Sequence, residues 1–285
     1  MYVYFSDSSL RQLRLLVLSV ITVRCLYLDS SIVVIDYSSD ERLEYFSKMF
    51  DFKIIKKSPC YADSKNIVVN MISKPMDCIN VGRQLGLNDV VVLDSDVFLL
   101  NRFKDLDFSK FSMLFQQGGL KNSGILSFSI NSEAIRLFSD IYGFLVGSCN
   151  ADVEFVKYCH SVLKHKELLP HINEEHLITL ILCEFNHFRE TYHNNLINGN
   201  HGYISFFVHT NMNLNNIHFA YRDEFNMVED RYIYPLMLKE YSFVLDVVDS
   251  RFLKEFFGVE DLFKLSFMQL KRKMNFFAIL KIANL

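Results

Sequence analysis

The chain has 285 residues, half of them hydrophobic and 27 of them Phe, enough for one large α/β domain with a sizeable core. A net charge of −3 gives no support for a chain that binds nucleic acid through an overall basic surface. Six cysteines with neither a CxxC pair nor regular spacing argue against a disulfide scaffold and read as mostly buried thiols of a reducing compartment.

No segment reaches the roughly 20 apolar residues that a membrane-spanning helix requires. Residues 15–23, behind Arg11 and Arg14, have the length of a signal-peptide core. A β-like start before them, and Arg24 after them without a small-residue cleavage site, point instead to a mature start and a cytoplasmic protein.

Residues 1–5 (MYVYF) read as a strand, followed by the polar loop Ser6-Asp7-Ser8-Ser9, which suits a helix start. A helix is expected over residues 10–26, with Arg11, Arg14 and Arg24 on its wetter side. Residues 31–35 (SIVVI) form a second strand, closed by Asp36 and Tyr37. Ser39 or Asp40 caps a helix over 41–50, and 52–55 form a third strand. This alternation predicts a mostly parallel central sheet wound with helices.

Pro75 suits the first turn of a helix, so a helix is expected over 75–85, with Lys74 at its start. A cation there is not helped by the helix dipole, so Lys74 either faces an anion or is solvated. The run 90–93 (VVVL) then reads as a buried strand. Asp94, Ser95 and Asp96 interrupt it before the apolar run resumes at Val97. Two carboxylates between hydrophobic runs are costly to bury without compensation. The end of a central parallel strand is also where open α/β sheets place ligands. A divalent cation that also holds a diphosphate would compensate both charges; otherwise the acids are solvated in a surface turn.

A strand is expected over 111–115. Lys121-Asn122-Ser123-Gly124 leads into another over 125–130, and Asn131-Ser132 caps a helix over 133–145. Gly124 permits close backbone approach or belongs to an ordinary hairpin turn. Helices are expected over 153–168 and from Glu174 to Cys183 or beyond. The dipole alone accounts for Glu174 and Glu175 in a first turn. All nine histidines lie between His160 and His218, with no HExxH. His209 and His218 follow apolar or β-like runs and are placed to return to the sheet. Residues 252–285 are Phe-rich and basic. They suit a helix lying on an anionic membrane or a closing helix packed on the domain. Two units are expected, a catalytic domain over 1–245 and a helical extension over 246–285.

In this order the pieces resemble the glycosyltransferase A fold, and within it the glycogenin-like and lipopolysaccharide galactosyltransferase-like sugar-nucleotide transferases. Leu93-Asp94-Ser95-Asp96 matches the family's Asp-x-Asp, and Lys74 its upstream basic residue. Asn122-Ser123-Gly124 matches its Asn-Ala-Gly strand start, and Glu174-Glu175 is similar to its Asp-Gln helix start. Ile217-His218-Phe219-Ala220-Tyr221-Arg222 matches only the beginning of its late His-Phe-x-Gly-x-x-Lys-Pro-Trp motif, so Arg222 would stand in for the lysine and His209 is an alternative to His218.

The resemblance implies a metal-dependent transferase that moves a sugar from a nucleotide-sugar donor, usually a UDP-sugar, to a glycan, lipid-linked or protein acceptor. It implies Mn2+ or Mg2+ held by Asp94, Asp96 and His218. Ser6, Asp7 and Asp36 would hold the base, Asp94 and Ser95 the nucleotide, and Lys74 the phosphates or sugar. Asn122, Ser123 and Glu175 would line the sugar and acceptor side. Retention of anomeric configuration is implied; an inverting enzyme would need a base such as Glu174, Glu175 or Asp152. Two other readings stand beside this one. A sugar nucleotidyltransferase normally opens with a Gly-rich phosphate loop, and Ser-Asp-Ser-Ser has no glycine. A non-catalytic relative of the same fold would account for the incomplete late motif.

Overall fold

Short β-branched runs alternate with longer helical segments, and the chain folds accordingly. A computed structural model of the chain describes residues 1–6, 10–58, 67–95, 97–99, 102–103, 106–115, 121–148, 152–166, 174–190, 197–201 and 216–218. The first half runs β1 (Tyr2–Ser6), α1 (Leu10–Leu26), β2 (Ile32–Asp36), α2 (Glu41–Phe50), β3 (Lys53–Lys56), α3 (Ile67–Leu85), β4 (Asp89–Leu93). Then follow β5 (Val97–Leu99), β6 (Ser112–Phe115), β7 (Lys121–Ser129), α4 (Arg136–Leu145), α5 (Val153–Lys166), α6 (Glu174–Glu184), α7 (Asn186–Glu190), β8 (Ile197–His201) and β9 (Asn216–His218).

The strands make one sheet in the order β3-β2-β1-β4-β7-β6-β8-β9-β5. The pairs β1·β2, β2·β3, β1·β4, β6·β8 and β8·β9 are parallel. The pairs β4·β7, β6·β7 and β5·β9 are antiparallel. The expected fold class, α/β with a mostly parallel sheet, is the one observed. Strand direction of travel reverses between β1 and β4, which makes the carboxyl ends of those two strands the switch point where such sheets bind ligands.

Alternation along the strands builds two apolar layers. Val3, Phe5, Val33, Ile35, Val90 and Val92 enter the core with α3, α4, α5 and α6. Tyr4 faces the opposite way, its hydroxyl 2.9 Å from Ser19 Oγ on α1. Helix α1 is buried over most of its circumference, from Leu13 to Val23, which a nearly continuous apolar sequence requires.

Asp40 is the N-cap of α2, its carboxylate accepting from the Arg42 N–H. The Arg42 guanidinium holds that carboxyl below its usual range. Helix α3 stops at Gly86, which has a φ of +64°, while the Leu87 N–H returns to the Gly82 carbonyl.

Four expectations are corrected. Pro75 lies inside α3, which starts at Ile67, so Lys74 is mid-helix and the dipole argument for it fails. The proline removes one i→i−4 bond, but burial of Ile72, Cys78, Ile79 and Val81 carries the helix through, tertiary packing overriding propensity. Asn122, Ser123 and Gly124 belong to β7 and do not precede it, because Asn122 pairs with Leu114 across a register shift in β6. Ser132 makes no side-chain cap bond, and residues 133–135 form a 3-10 turn before α4. Arg24 is not a solvent-facing residue. Its side chain is 16% exposed and donates to the carbonyls of Phe50, Leu28, Ser30 and Asp51.

Arg24 thus closes the carboxyl ends of α1 and α2 with one planar fork. Arg24→Ala is expected to cost about 2 kcal/mol by stranding those carbonyls, a Tm fall of about 4 °C in a chain this size. A Tm within about 1 °C of wild type in thermal unfolding would refute the role. Lys at position 24 should recover only part of the loss.

Of the six cysteines, Cys78 and Cys159 are buried free thiols and Cys183 is an exposed one. Burial, with Asp77 nearby, pushes the Cys78 thiol up, so it stays protonated and inert. Among the described residues no helix is long and apolar enough to cross a membrane. The expected extension over 246–285 lies outside the described residues.

Candidate functional site

Parallel pairing brings the strand ends to one edge of the sheet. Ser6 of β1 pairs with Asp36 of β2, and Asp36 with Lys56 of β3. Asp94 follows the last residue of β4, and its N–H donates to the Gly124 carbonyl of β7 at 2.9 Å. Leu93 pairs with Ile125, so antiparallel β7 carries Ser123 and Asn122 outward from the same edge. The sequence-expected residues Ser6, Asp36, Asp94, Ser95, Asn122 and Ser123 therefore do meet at one edge of the sheet.

Lys74 reaches this edge from α3. Its Nζ is 3.8 Å from Asp94 Oδ1 and 5.6 Å from the Phe5 ring centroid. Both partners are about a quarter exposed, so a new anion can still be shared with the lysine. Phe5 stacks on Tyr37, with centroids 5.9 Å apart and planes 9° off parallel. The Tyr37 hydroxyl donates to Asp77 Oδ2 at 2.5 Å, and Lys57 pairs with the other oxygen of Asp77. Asp77 is 2% exposed; two partners compensate its burial. It ties the loops after β2 and β3 to the helix that carries Lys74. The sequence reading missed Asp77, Lys57 and the Tyr37 hydroxyl. The available signal was a carboxylate three residues after Lys74 on the apolar face of a helix.

Asp36 is 1% exposed. Its Oδ1 accepts from Ser38 N–H at 2.9 Å and Ser38 Oγ at 2.6 Å. Its Oδ2 is buried without a hydrogen-bond partner. A buried acceptor left open at the ligand end of a parallel sheet is what a bound donor group would satisfy.

The short strand β5 leaves the Asp94 turn, where the Val97 N–H donates to the Asp94 carbonyl at 3.1 Å. Val97 of β5 pairs with His218 of β9, and His218 pairs in parallel register with His201 of β8. The backbone thus returns His218 to within one strand of the acidic turn. His201, not singled out from sequence, stands beside it in register. Asp7, Asp96, His209 and Arg222 lie outside the described residues, as do the side chains of Asn122, Ser123, Glu175 and His218. Glu175 is in the first turn of α6, whose Leu177, Ile178 and Ile181 are in the core. Among the described residues no three His, Cys, Asp or Glu side chains converge on a metal position. The part of the expected donor set that is described, the partly exposed Asp94 carboxylate and the backbone of the strand that carries His218, offers the residue types, oxygen and imidazole, that hold a hard divalent cation.

A cavity of about 570 Å3 opens at the opposite edge, lined by Arg24, Asp29, Ser31, Asp51 and Lys53. The Arg24 guanidinium there is committed to backbone carbonyls, and the cavity shares no residue with the Asp94 edge.

No protein-family model matches this sequence, and no curated protein sequence matches it. Among solved structures, an active-site mutant of LgtC is similar at a TM-score of 0.50 and 13% identity, over 88% of this chain and 98% of that one. A galactosyltransferase LgtC in complex with donor and acceptor sugar analogs is similar at a TM-score of 0.47 and 13% identity, over 96% and 99%. The apo glycosyltransferase GlyE of Streptococcus pneumoniae is similar at a TM-score of 0.48 and 11% identity, over 90% and 62%. The likeness to LgtC at a TM-score of 0.50 is one of fold.

Proposed function

We propose that this chain is a metal-dependent glycosyltransferase that moves a sugar from a UDP-sugar to a glycan, lipid-linked or protein acceptor. The carrying observation is Lys74 beside Asp94 at the end of β4, on the same carboxyl edge of the sheet where β2 ends in Asp36 with an open oxygen. Asp94, Asp96 and His218 would hold Mn2+ or Mg2+, with His209 the alternative third ligand. When bound, the cation supplies Lewis-acid stabilisation of the charge that grows on the leaving diphosphate.

The chain's own groups do the rest. Lys74 is held over Phe5 and beside Asp94, and it offers the phosphates a point charge with three donors. Asp36, with Ser6 and Asp7, takes the base and ribose, its open oxygen accepting an N–H or O–H. Ser95 contributes beside Asp94. Asn122, Ser123 and Glu175 serve the sugar and acceptor, with transfer retaining the anomeric configuration. The extension over 246–285 would hold the enzyme at the cytoplasmic face of an anionic membrane while it builds a surface glycan.

The test is a screen of nucleotide sugars for Mn2+-dependent hydrolysis and transfer, with calorimetry of UDP binding with and without Mn2+. Metal-dependent UDP binding with turnover of at least one donor is expected. Absence of metal-dependent UDP binding would reject the proposal in favour of a non-catalytic relative.

A further inference from the structure

Among the described residues β5 ends the sheet order, with no described strand along its second edge, and backbone groups on such an edge are satisfied by other means. Alternation along a strand sends the C=O of Val97 and the N–H of Leu99 to one side and the polar groups of Phe98 to the other. Helix α1 serves the first side. Ser19 Oγ donates to the Val97 carbonyl. Thr22 Oγ1 accepts the Leu99 N–H at 3.0 Å. Both side chains are fully buried.

The proton positions follow from the partners. Thr22 Oγ1 donates to the Ser19 carbonyl at 2.7 Å, which turns a lone pair toward Leu99. Ser19 gives its proton to Val97, so at 2.9 Å the Tyr4 hydroxyl is the donor to Ser19. Burial pushes the Tyr4 phenol up, keeping it a donor. Two buried hydroxyls one helical turn apart thus act as a substitute strand, and Phe98 is left to pair with Ile217 of β9.

We infer that Ser19 and Thr22 are positioning residues for the metal end of the site: they fix β5, and through it the register that sets His218 opposite Val97, next to the acidic turn. The inference rests on the function proposed above. Without these bonds the three-residue strand loses its hydrogen bonds to α1, and the spacing between the turn and His218 loosens.

The test uses the full chain with Mn2+ and UDP as probes, reading Mn2+ affinity by the paramagnetic signal of the free ion. Thr22→Val keeps shape and removes the acceptor; it is expected to weaken Mn2+ about tenfold, in the range seen when groups behind metal ligands are removed. Thr22→Ser should restore it, and Leu99 amide exchange should speed up in the Val variant alone. A Val variant with lowered Tm but wild-type Mn2+ affinity would overturn the positioning role and leave the proposed function standing. A wild-type chain that binds no Mn2+ with UDP would overturn both. If Thr22→Val does not fold, Ser19→Ala carries the same comparison, with unchanged Mn2+ affinity again decisive against it.

Discussion

Asp94→Asn is expected to lower kcat/KM for donor turnover by about 10³-fold, roughly 4 kcal/mol of transition-state stabilisation, while Tm stays within about 1 °C. The substitution keeps shape and leaves the backbone bonds of residue 94 to Gly124 and Val97 in place. The carboxylate charge is lost. The carboxylate is about a quarter exposed and 3.8 Å from Lys74, and such a pair contributes little to stability. The effect should therefore appear in turnover and in Mn2+ affinity, measured by steady-state kinetics and metal titration. Asp96→Ala should behave likewise. Unchanged turnover in both variants would remove the metal role from this turn.

Phe138→Ala should cost about 4 kcal/mol of stability, since a fully buried aromatic leaves a cavity that the surroundings fill only in part. Its ring meets Phe111 edge-on at 5.5 Å and Phe128 at 5.8 Å. These contacts join α4 to β7 and to the residue preceding β6. A Tm fall of about 8 °C is expected, whereas Phe138→Leu should recover most of it. Because β7 carries Asn122 and Ser123, the residues proposed for the sugar and acceptor, the Ala variant should also raise the acceptor KM. Chemical denaturation and kinetics on one preparation separate the two effects. A midpoint unchanged within error would show that the three rings do not form the packing unit described.

The two experiments probe different layers of one design. Phe138 belongs to the apolar layer shared by α3, α4, α5 and α6, which supports the edge without entering it. Asp94 belongs to the edge itself. Stability is expected to follow the first and catalysis the second, because the Asp94–Lys74 pair at the edge is only partly buried and stores little folding energy.

Local order was legible in the sequence wherever period and punctuation agreed. The runs 32–36 and 89–93 are β-branched and bounded by turn residues, and both are strands. Asp40 begins α2 as its chemistry predicts, and Gly86 ends α3. The acidic turn at Asp94 and its neighbour Asn122-Ser123-Gly124 also stood out as interruptions of apolar runs. Where a signal was local but its resolution was not, the reading erred. Pro75 has the look of a helix start, yet packing on both sides keeps it inside α3. Arg24 has the look of a wet helix face, yet four carbonyls from two helix ends converge on it.

By itself the sequence determined the alternation of strands and helices, the mostly parallel sheet, and the placing of two carboxylates at the end of a buried strand, because each depends on neighbours within a few residues. Only the tertiary structure decided which distant groups meet there: Lys74 beside Asp94, Asp77 between Tyr37 and Lys57, an open oxygen on Asp36, and α1 hydroxyls along β5. Those contacts join residues 20 to 78 positions apart. Chain closure over such distances is set by how the sheet stacks its layers, and no local pattern encodes it.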